Sequence, residues 1–116
     1  LIKIKGFSAT LMDARFAKPL DKSMIDNIVN NHEFVVTIEE GSIGGFSSSI
    51  LNYIHNFKKT PTNAKIQNII FPDRFIDHNT PDNQYKESGM DAKSIADKLI
   101  SLTSSEIIPF HKFNKK

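Results

Sequence analysis

The sequence predicts an α/β domain, a mostly parallel sheet with helices covering both of its faces. Three observations predict it. Phe34-Val35-Val36-Thr37-Ile38 is a β-branched run of strand length, followed by an acidic glycine turn, Glu39 to Gly45. After the turn, apolar residues at Phe46, Ile50, Leu51, Ile54 and Phe57 keep helical spacing, so a strand passes through a glycine turn into a helix. Strand-like and helix-like segments alternate along the rest of the chain, and its 116 residues, 39% hydrophobic and 24% charged, suit one globular core.

The elements follow in order. Leu1 to Lys5 alternates strictly and reads either as a strand or as a last helical turn stopped by Gly6. Phe7 to Asp13 (FSATLMD) alternates loosely and is expected as a strand. Asp13 to Pro19 then forms a loop, because Pro19 forbids a helix through that point. Asp21 is a suitable N-cap, with Leu20 and Ile25 as its hydrophobic staple. Ile25, Ile28 and Val29 carry the helix to a stop at Asn30-Asn31. The central strand, turn and helix come next, and Lys58-Lys59 suits the negative end of that helix. Thr60 to Asn63 is a breaker, and Ile66 to Phe71 (IQNIIF) is a further strand. Pro72 to Asn79 is a loop, Thr80-Pro81 starts a short helix through Tyr85, and Gly89 ends it. Asp91 caps a final helix, with Met90 and Ile95 as the staple pair and Ile95, Leu99 and Leu102 as its buried face. Beyond Ile108-Pro109 the tail is basic and expected to fray.

Bulk properties exclude several classes. A net charge of +2, with no aromatic–basic stripe, argues against nucleic acid as a partner. No apolar run approaches the roughly 20 residues of a membrane helix, so no membrane partner is expected. The absence of cysteine removes disulfides, thiolate metal sites and a cysteine nucleophile. The opening Leu1-Ile2-Lys3-Ile4-Lys5 looks like the middle of an element. The chain therefore reads as a fragment, one domain over 1–116, lacking the first strand of its sheet. An edge left open in this way invites association.

In open parallel sheets the loops after the strands share one rim, where ligands bind. Three loops are expected to converge there and to form an interface or a ligand rim. Their residues are Asp13 and Arg15, then Glu39, Glu40, Gly44 and Gly45, then Asp73, Arg74 and His78. The Gly44-Gly45 pair at a helix start, with serines following, has the form of a phosphate cradle. The structural reading is favoured: the glycines permit positive φ and close packing, and the two glutamates repel anions. Neighbouring Glu39 and Glu40 point to opposite faces, so they form no acid–base dyad. They are expected to accept hydrogen bonds from turn amides or to pair with Arg15 or Arg74. The four histidines lack metal-ligand spacing, and neither a nucleophile elbow nor a Walker loop is present. No catalytic residue is assigned.

The residues also carry a family resemblance. Met12 to Asp21 (MDARFAKPLD) resembles the D-A-R-F-x-K-P-L-D block of the 1-deoxy-D-xylulose-5-phosphate synthases. Thr37 to Gly41 with Gly44 to Ser48 is similar to their T-x-E-E…G-G-F-G-S segment. Pro72 to His78 (PDRFIDH) resembles their P-D-R-F-I-E-H block, and Gly89 to Ile95 resembles the start of their last helix. Asn79 departs from the usual Gly after the His. The E-E…G-G element is shared with transketolases and with 2-oxo acid dehydrogenase β-subunits.

The resemblance implies a three-layer αβα sandwich of the transketolase C-terminal kind. It also implies a parent enzyme that condenses pyruvate with D-glyceraldehyde 3-phosphate, releasing CO₂, in non-mevalonate isoprenoid synthesis, with products leading also to thiamine and pyridoxal. That enzyme uses thiamine diphosphate and Mg²⁺, bound outside this fragment, and neither is expected here. Its partners are the other domains of the same chain and a second subunit in a homodimer. Its compartment is a bacterial cytoplasm or a plastid-type organelle. The fragment alone is expected to be an inactive interface domain. The alternatives are a regulatory ligand site at the glycine turn, a domain of another transketolase-type enzyme, or a free-standing flavodoxin-like module.

Overall fold

Two short parallel strands form the frame on which the site is built. β1 (Phe34–Ile38) pairs with β2 (Lys65–Ile69), with Val35 opposite Ile66 and Thr37 opposite Asn68. Parallel pairing demands a crossover, and α2 (Phe46–Asn56) supplies it. α1 (Lys22–Asn31) precedes β1, and α3 (Pro81–Ser88) and α4 (Ala92–Ser104) follow β2. A computed structural model of the chain describes Gly6, residues 8–58 and residues 61–104. The expectations for Leu1 to Lys5, Phe7, Lys59, Thr60 and the basic tail lie outside the described residues.

The core joins α1 and α2 on one face of the sheet. Ile25 and Val29 of α1 and Ile50 and Tyr53 of α2 are buried together, with Leu20, Val35, Phe46, Ile54 and Ile66 packed against them. Leu20 thus takes the staple position beside Ile25 that the sequence implies. Within α2 the buried face differs from the expected one. Ile50 is buried, but Leu51 is 39% exposed and Phe57 is 66% exposed, while Ser47 and Tyr53 are buried instead. At 100° per residue Leu51 is rotated well away from the Phe46–Ile50–Ile54 stripe. Phe57 follows the last helical residue, with φ −124°, and leaves the helical path. The Tyr53 hydroxyl donates to Asp26 Oδ2 at 3.0 Å. Burial, and then this bond, raise the Tyr53 phenol above its ordinary range.

The helix ends follow from local chemistry. Asp21 Oδ1 accepts the Met24 N–H at 2.9 Å and the Ser23 hydroxyl at 2.8 Å, and these bonds hold its carboxyl below the usual carboxylate range. Pro81 opens α3, and Gly89 closes it with φ 69°, where a side chain is disfavoured. Asp91 accepts the Ser94 hydroxyl and the Ser94 and Lys93 amides at the start of α4, which also lowers its carboxyl. The Ile95 N–H bonds Asp91 O at 3.0 Å. Met90 is buried as the staple pattern implies, and Ala96 is the most buried residue described in α4; Ile95, Leu99 and Leu102 are half-buried.

Two strand expectations are corrected. Residues 8–13 are not a strand: they make no ladder bonds, and Leu11 is 94% exposed. The Thr10 hydroxyl bonds His32 Nε2 at 3.0 Å, and Asp13 Oδ1 accepts the Arg15 N–H at 2.9 Å, bending the chain at that point. The described sheet is therefore two-stranded. β2 also stops at Ile69 rather than Phe71, because β1 ends at Ile38 and offers no in-register partner beyond it. One further bond, Phe71 N–H to Gly41 O at 2.9 Å, carries the chain past the turn.

Truncation separates the observed face of α2 from the expected one. Ile50→Ala is expected to cost about 2–4 kcal/mol in urea unfolding, and Leu51→Ala less than about 1 kcal/mol.

Candidate functional site

The site lies at the carboxyl ends of the strands, and its centre is the turn from Glu39 to Gly45. β1 delivers Glu39 and Glu40 in succession, and the pleat sends them to opposite sides. Glu39 turns toward α2. Its Oε2 accepts the Ser47 N–H at 3.1 Å, and its Oε1 accepts the Ser47 hydroxyl at 3.2 Å. A carboxylate therefore satisfies an N–H at the positive end of the helix, where negative charge is favoured. Ser47 is only 1% exposed, so the bond closes over a dry side chain.

The two glycines have different reasons, and only the second involves this contact. Gly44 has φ 100°, a conformation that disfavours any side chain, and its N–H donates to Ser48 Oγ at 3.0 Å. At Gly45 an added Cβ would lie 2.5 Å from Glu39 Oε1. The sequence implies close strand–helix packing at this position, and the neighbour that a side chain would displace is the carboxylate of Glu39.

Glu40 turns toward α3. The Tyr85 hydroxyl donates to Glu40 Oε1 at 2.5 Å, and the Tyr85 ring stacks on Phe71 with centroids 6.5 Å apart. This bond, then the charge of Glu40, raise the Tyr85 phenol above its ordinary range. The third loop is engaged elsewhere. Arg74 Nη1 bonds Glu87 Oε1 at 2.7 Å, with further contacts from the guanidinium to the Phe75 and Glu87 carbonyls. The expected ion pairs between the arginines and Glu39 or Glu40 are absent among the described residues: Arg74 is taken by α3, and Arg15 makes none. Asp73 and His78 are exposed and make no hydrogen bond or ion pair among the described residues. Asp13, Arg15 and Glu39 do line one groove of about 470 Å³ along β1. Arg15 holds φ 58°, a left-handed conformation rare for a non-glycine residue, braced by Asp13.

The expected convergence is thus partial. The first two loops share a groove, and the third loop is drawn to α3. The sequence points to Ser47 only as one of the serines after the glycine pair, and to neither Tyr85 nor Glu87 as a site residue. Ser47 had a signal in its place at the first turn of α2; the other two are surface-type residues on a polar helix, with none.

The chemistry of the donors is that of a self-satisfied turn. A diphosphate at the start of α2 would meet the Glu39 carboxylate where the Ser47 amide already donates, so the turn does not fit such a group. Among the described residues no three histidines or carboxylates gather in a way that fits a divalent metal. What the fold and rim define is an α/β domain whose polar loops are tied to its own helices. Residues 1–95 match the family described as transketolase, C-terminal domain, and the match covers most of the 116 residues. The chain belongs to the transketolase C-terminal domain family.

Two outcomes are expected at the turn. Gly45→Ala displaces the Glu39 carboxylate from Ser47 and is expected to destabilise the fold by about 1–3 kcal/mol in urea unfolding. Glu40→Gln is expected to return one of the two tyrosines toward the ordinary phenol pKa of about 10, read by ultraviolet titration. Because the folded-state pKa of Tyr85 is raised, the stability it contributes is complete below about pH 10 and lost as pH rises through the folded value.

Proposed function

We propose that the chain is the C-terminal domain of a 1-deoxy-D-xylulose-5-phosphate synthase, a transferase that condenses pyruvate with D-glyceraldehyde 3-phosphate and releases CO₂. Within it this domain is a scaffold: it holds its place against the other domains of the chain and a second subunit and carries no bond-making group. The D-A-R-F-A-K-P-L-D and P-D-R-F-I-D-H blocks favour this synthase over other members of the transketolase class. The observation that carries the scaffold reading is the Glu39–Ser47 contact, which spends the anion-ready helix terminus on the domain's own carboxylate. The same contact disfavours a regulatory phosphate site at the turn.

In this reading thiamine diphosphate and Mg²⁺ sit in other domains, and the cofactor supplies the carbanion chemistry there. This domain's contribution is orientation: Glu39, Glu40 and Arg74 fix their loops, while Arg15, Asp73 and His78 keep polar groups available to neighbouring domains or to the second subunit. The reaction then belongs to isoprenoid precursor synthesis, in a bacterial cytoplasm or a plastid-type organelle.

The test is an assay of two polypeptides. The 116-residue chain, supplied with thiamine diphosphate, Mg²⁺, pyruvate and D-glyceraldehyde 3-phosphate, is expected to release no CO₂ above background. The full gene product that contains this chain is expected to form 1-deoxy-D-xylulose 5-phosphate. Turnover by the short chain overturns the scaffold role. Transfer of a two-carbon unit from a ketose phosphate by the full product, in place of pyruvate condensation, replaces the synthase by a transketolase.

A further inference from the structure

One aromatic side chain of this domain stands wholly in water. Phe75, in the loop from Pro72 to Asn79, is 100% exposed, more than any other large apolar residue described. An exposed apolar residue is ordinary by itself, but the backbone that carries this one is braced. On its N-terminal side the Arg74 N–H bonds Pro72 O at 2.8 Å, and the Arg74 guanidinium reaches Glu87 Oε1 at 2.7 Å and the Phe75 carbonyl at 3.5 Å. On its C-terminal side Gln84 Nε2 donates to Asp77 O at 3.2 Å, and Asn79 Oδ1 accepts the Thr80 N–H and Asn83 Nδ2. α3 therefore holds the loop on both sides of a ring that it leaves uncovered. Four residues earlier Phe71 does the opposite and stacks on Tyr85. A ring presented on a backbone already fixed costs little further ordering when it enters a contact.

The charges beside the ring narrow what it can meet. Arg74 is paired with Glu87, whereas the carboxylates of Asp73 and Asp77 make no hydrogen bond or ion pair among the described residues. The loop therefore presents an apolar ring between two unpaired anions, and the surface that complements it is an apolar pocket with Lys or Arg at its rim. Area decides between partners. Burying a phenylalanine removes about 150–250 Å² from water, and its neighbour Ile76 is already half-buried. A free-standing complex needs about 800 Å² on each partner. So small an anchor suits a tethered neighbour, present at a roughly millimolar effective concentration, and not a second copy of the chain.

We propose that Phe75 is the anchor by which this domain docks on a neighbouring domain of its parent polypeptide. The ring enters an apolar pocket there, and Asp73 and Asp77 face basic side chains at the rim of that pocket. This docking rests on the scaffold role proposed above, and it holds whichever transketolase-type reaction the parent enzyme performs.

Amide hydrogen exchange, followed by mass spectrometry in the 116-residue chain and in the full gene product that contains it, tests the docking. The amides of Phe75 to His78 make no backbone bond among the described residues, so they exchange freely in the short chain. In the full product they are expected to exchange at least about tenfold more slowly. Phe75→Ala is expected to abolish that difference, and Phe75→Leu to keep most of it. Asp73→Lys together with Asp77→Lys is expected to reduce it, and so is raised salt. The urea midpoint of the short chain is expected to be unchanged by Phe75→Ala, which separates docking from folding. Equal rates in the two polypeptides, or a difference that Phe75→Ala leaves intact, overturn the anchor. A difference that ignores both aspartate substitutions overturns the basic rim. Protection that appears in the short chain as its concentration rises, or that vanishes when the full product is diluted into single subunits, assigns the loop to a second subunit and also overturns the docking. Failure of the scaffold role shows separately, as turnover by the short chain, and leaves the exchange rates unaltered.

Discussion

The contact between the Glu39 carboxylate and the first turn of α2 is the constraint on which the rest of the structure depends. It sets where β1 must end, because Glu39 has to reach Ser47. It favours glycine at position 45, because a Cβ there would push the carboxylate out of its place. The pleat aims the next residue the other way, and Glu40 meets Tyr85 and ties α3 to the same turn. Two adjacent carboxylates thereby link β1, the glycine turn, α2 and α3. The electrostatics favour it: a negative charge stands where the helix dipole is positive, over a serine with almost no water contact.

The same contact shapes the functional reading. A helix start behind two glycines is the usual raw material of a phosphate site, and in this domain an internal anion occupies it. The remaining polar groups of the rim divide in two. Glu40, Arg74 and Glu87 are consumed in holding α3 and its loop, whereas the side chains of Arg15, Asp73 and His78 make no hydrogen bond among the described residues. Membership of the transketolase C-terminal family fits a domain whose internal bonds are structural and whose leftover polar groups face outward.

Much of this was legible because the signals were local. Asp21 and Asp91 announce α1 and α4 by side-chain bonds that reach only three residues. Gly89 marks its own left-handed turn, and β1 reads directly from its β-branched run. The opposed directions of Glu39 and Glu40 follow from the pleat alone. What was not legible depends on distant partners. The Tyr85–Glu40 bond joins residues 45 positions apart, and nothing near Tyr85 announces it. The alternation of residues 8–13 specifies a strand-capable segment but not whether an edge receives it. Leu51 and Phe57 have the apolar character of core residues, whereas rotation about the helix and its termination at Asn56 decide their exposure.

Phosphate titration of the Ser47 amide tests the central claim most directly. If Glu39 already fills the start of α2, the backbone N–H signals of Gly44 to Ser48 stay in place when inorganic phosphate or thiamine diphosphate is added at millimolar concentration. A saturable shift of the Ser47 amide in the unaltered chain would contradict the account, because it would show that the helix terminus is open to an external anion.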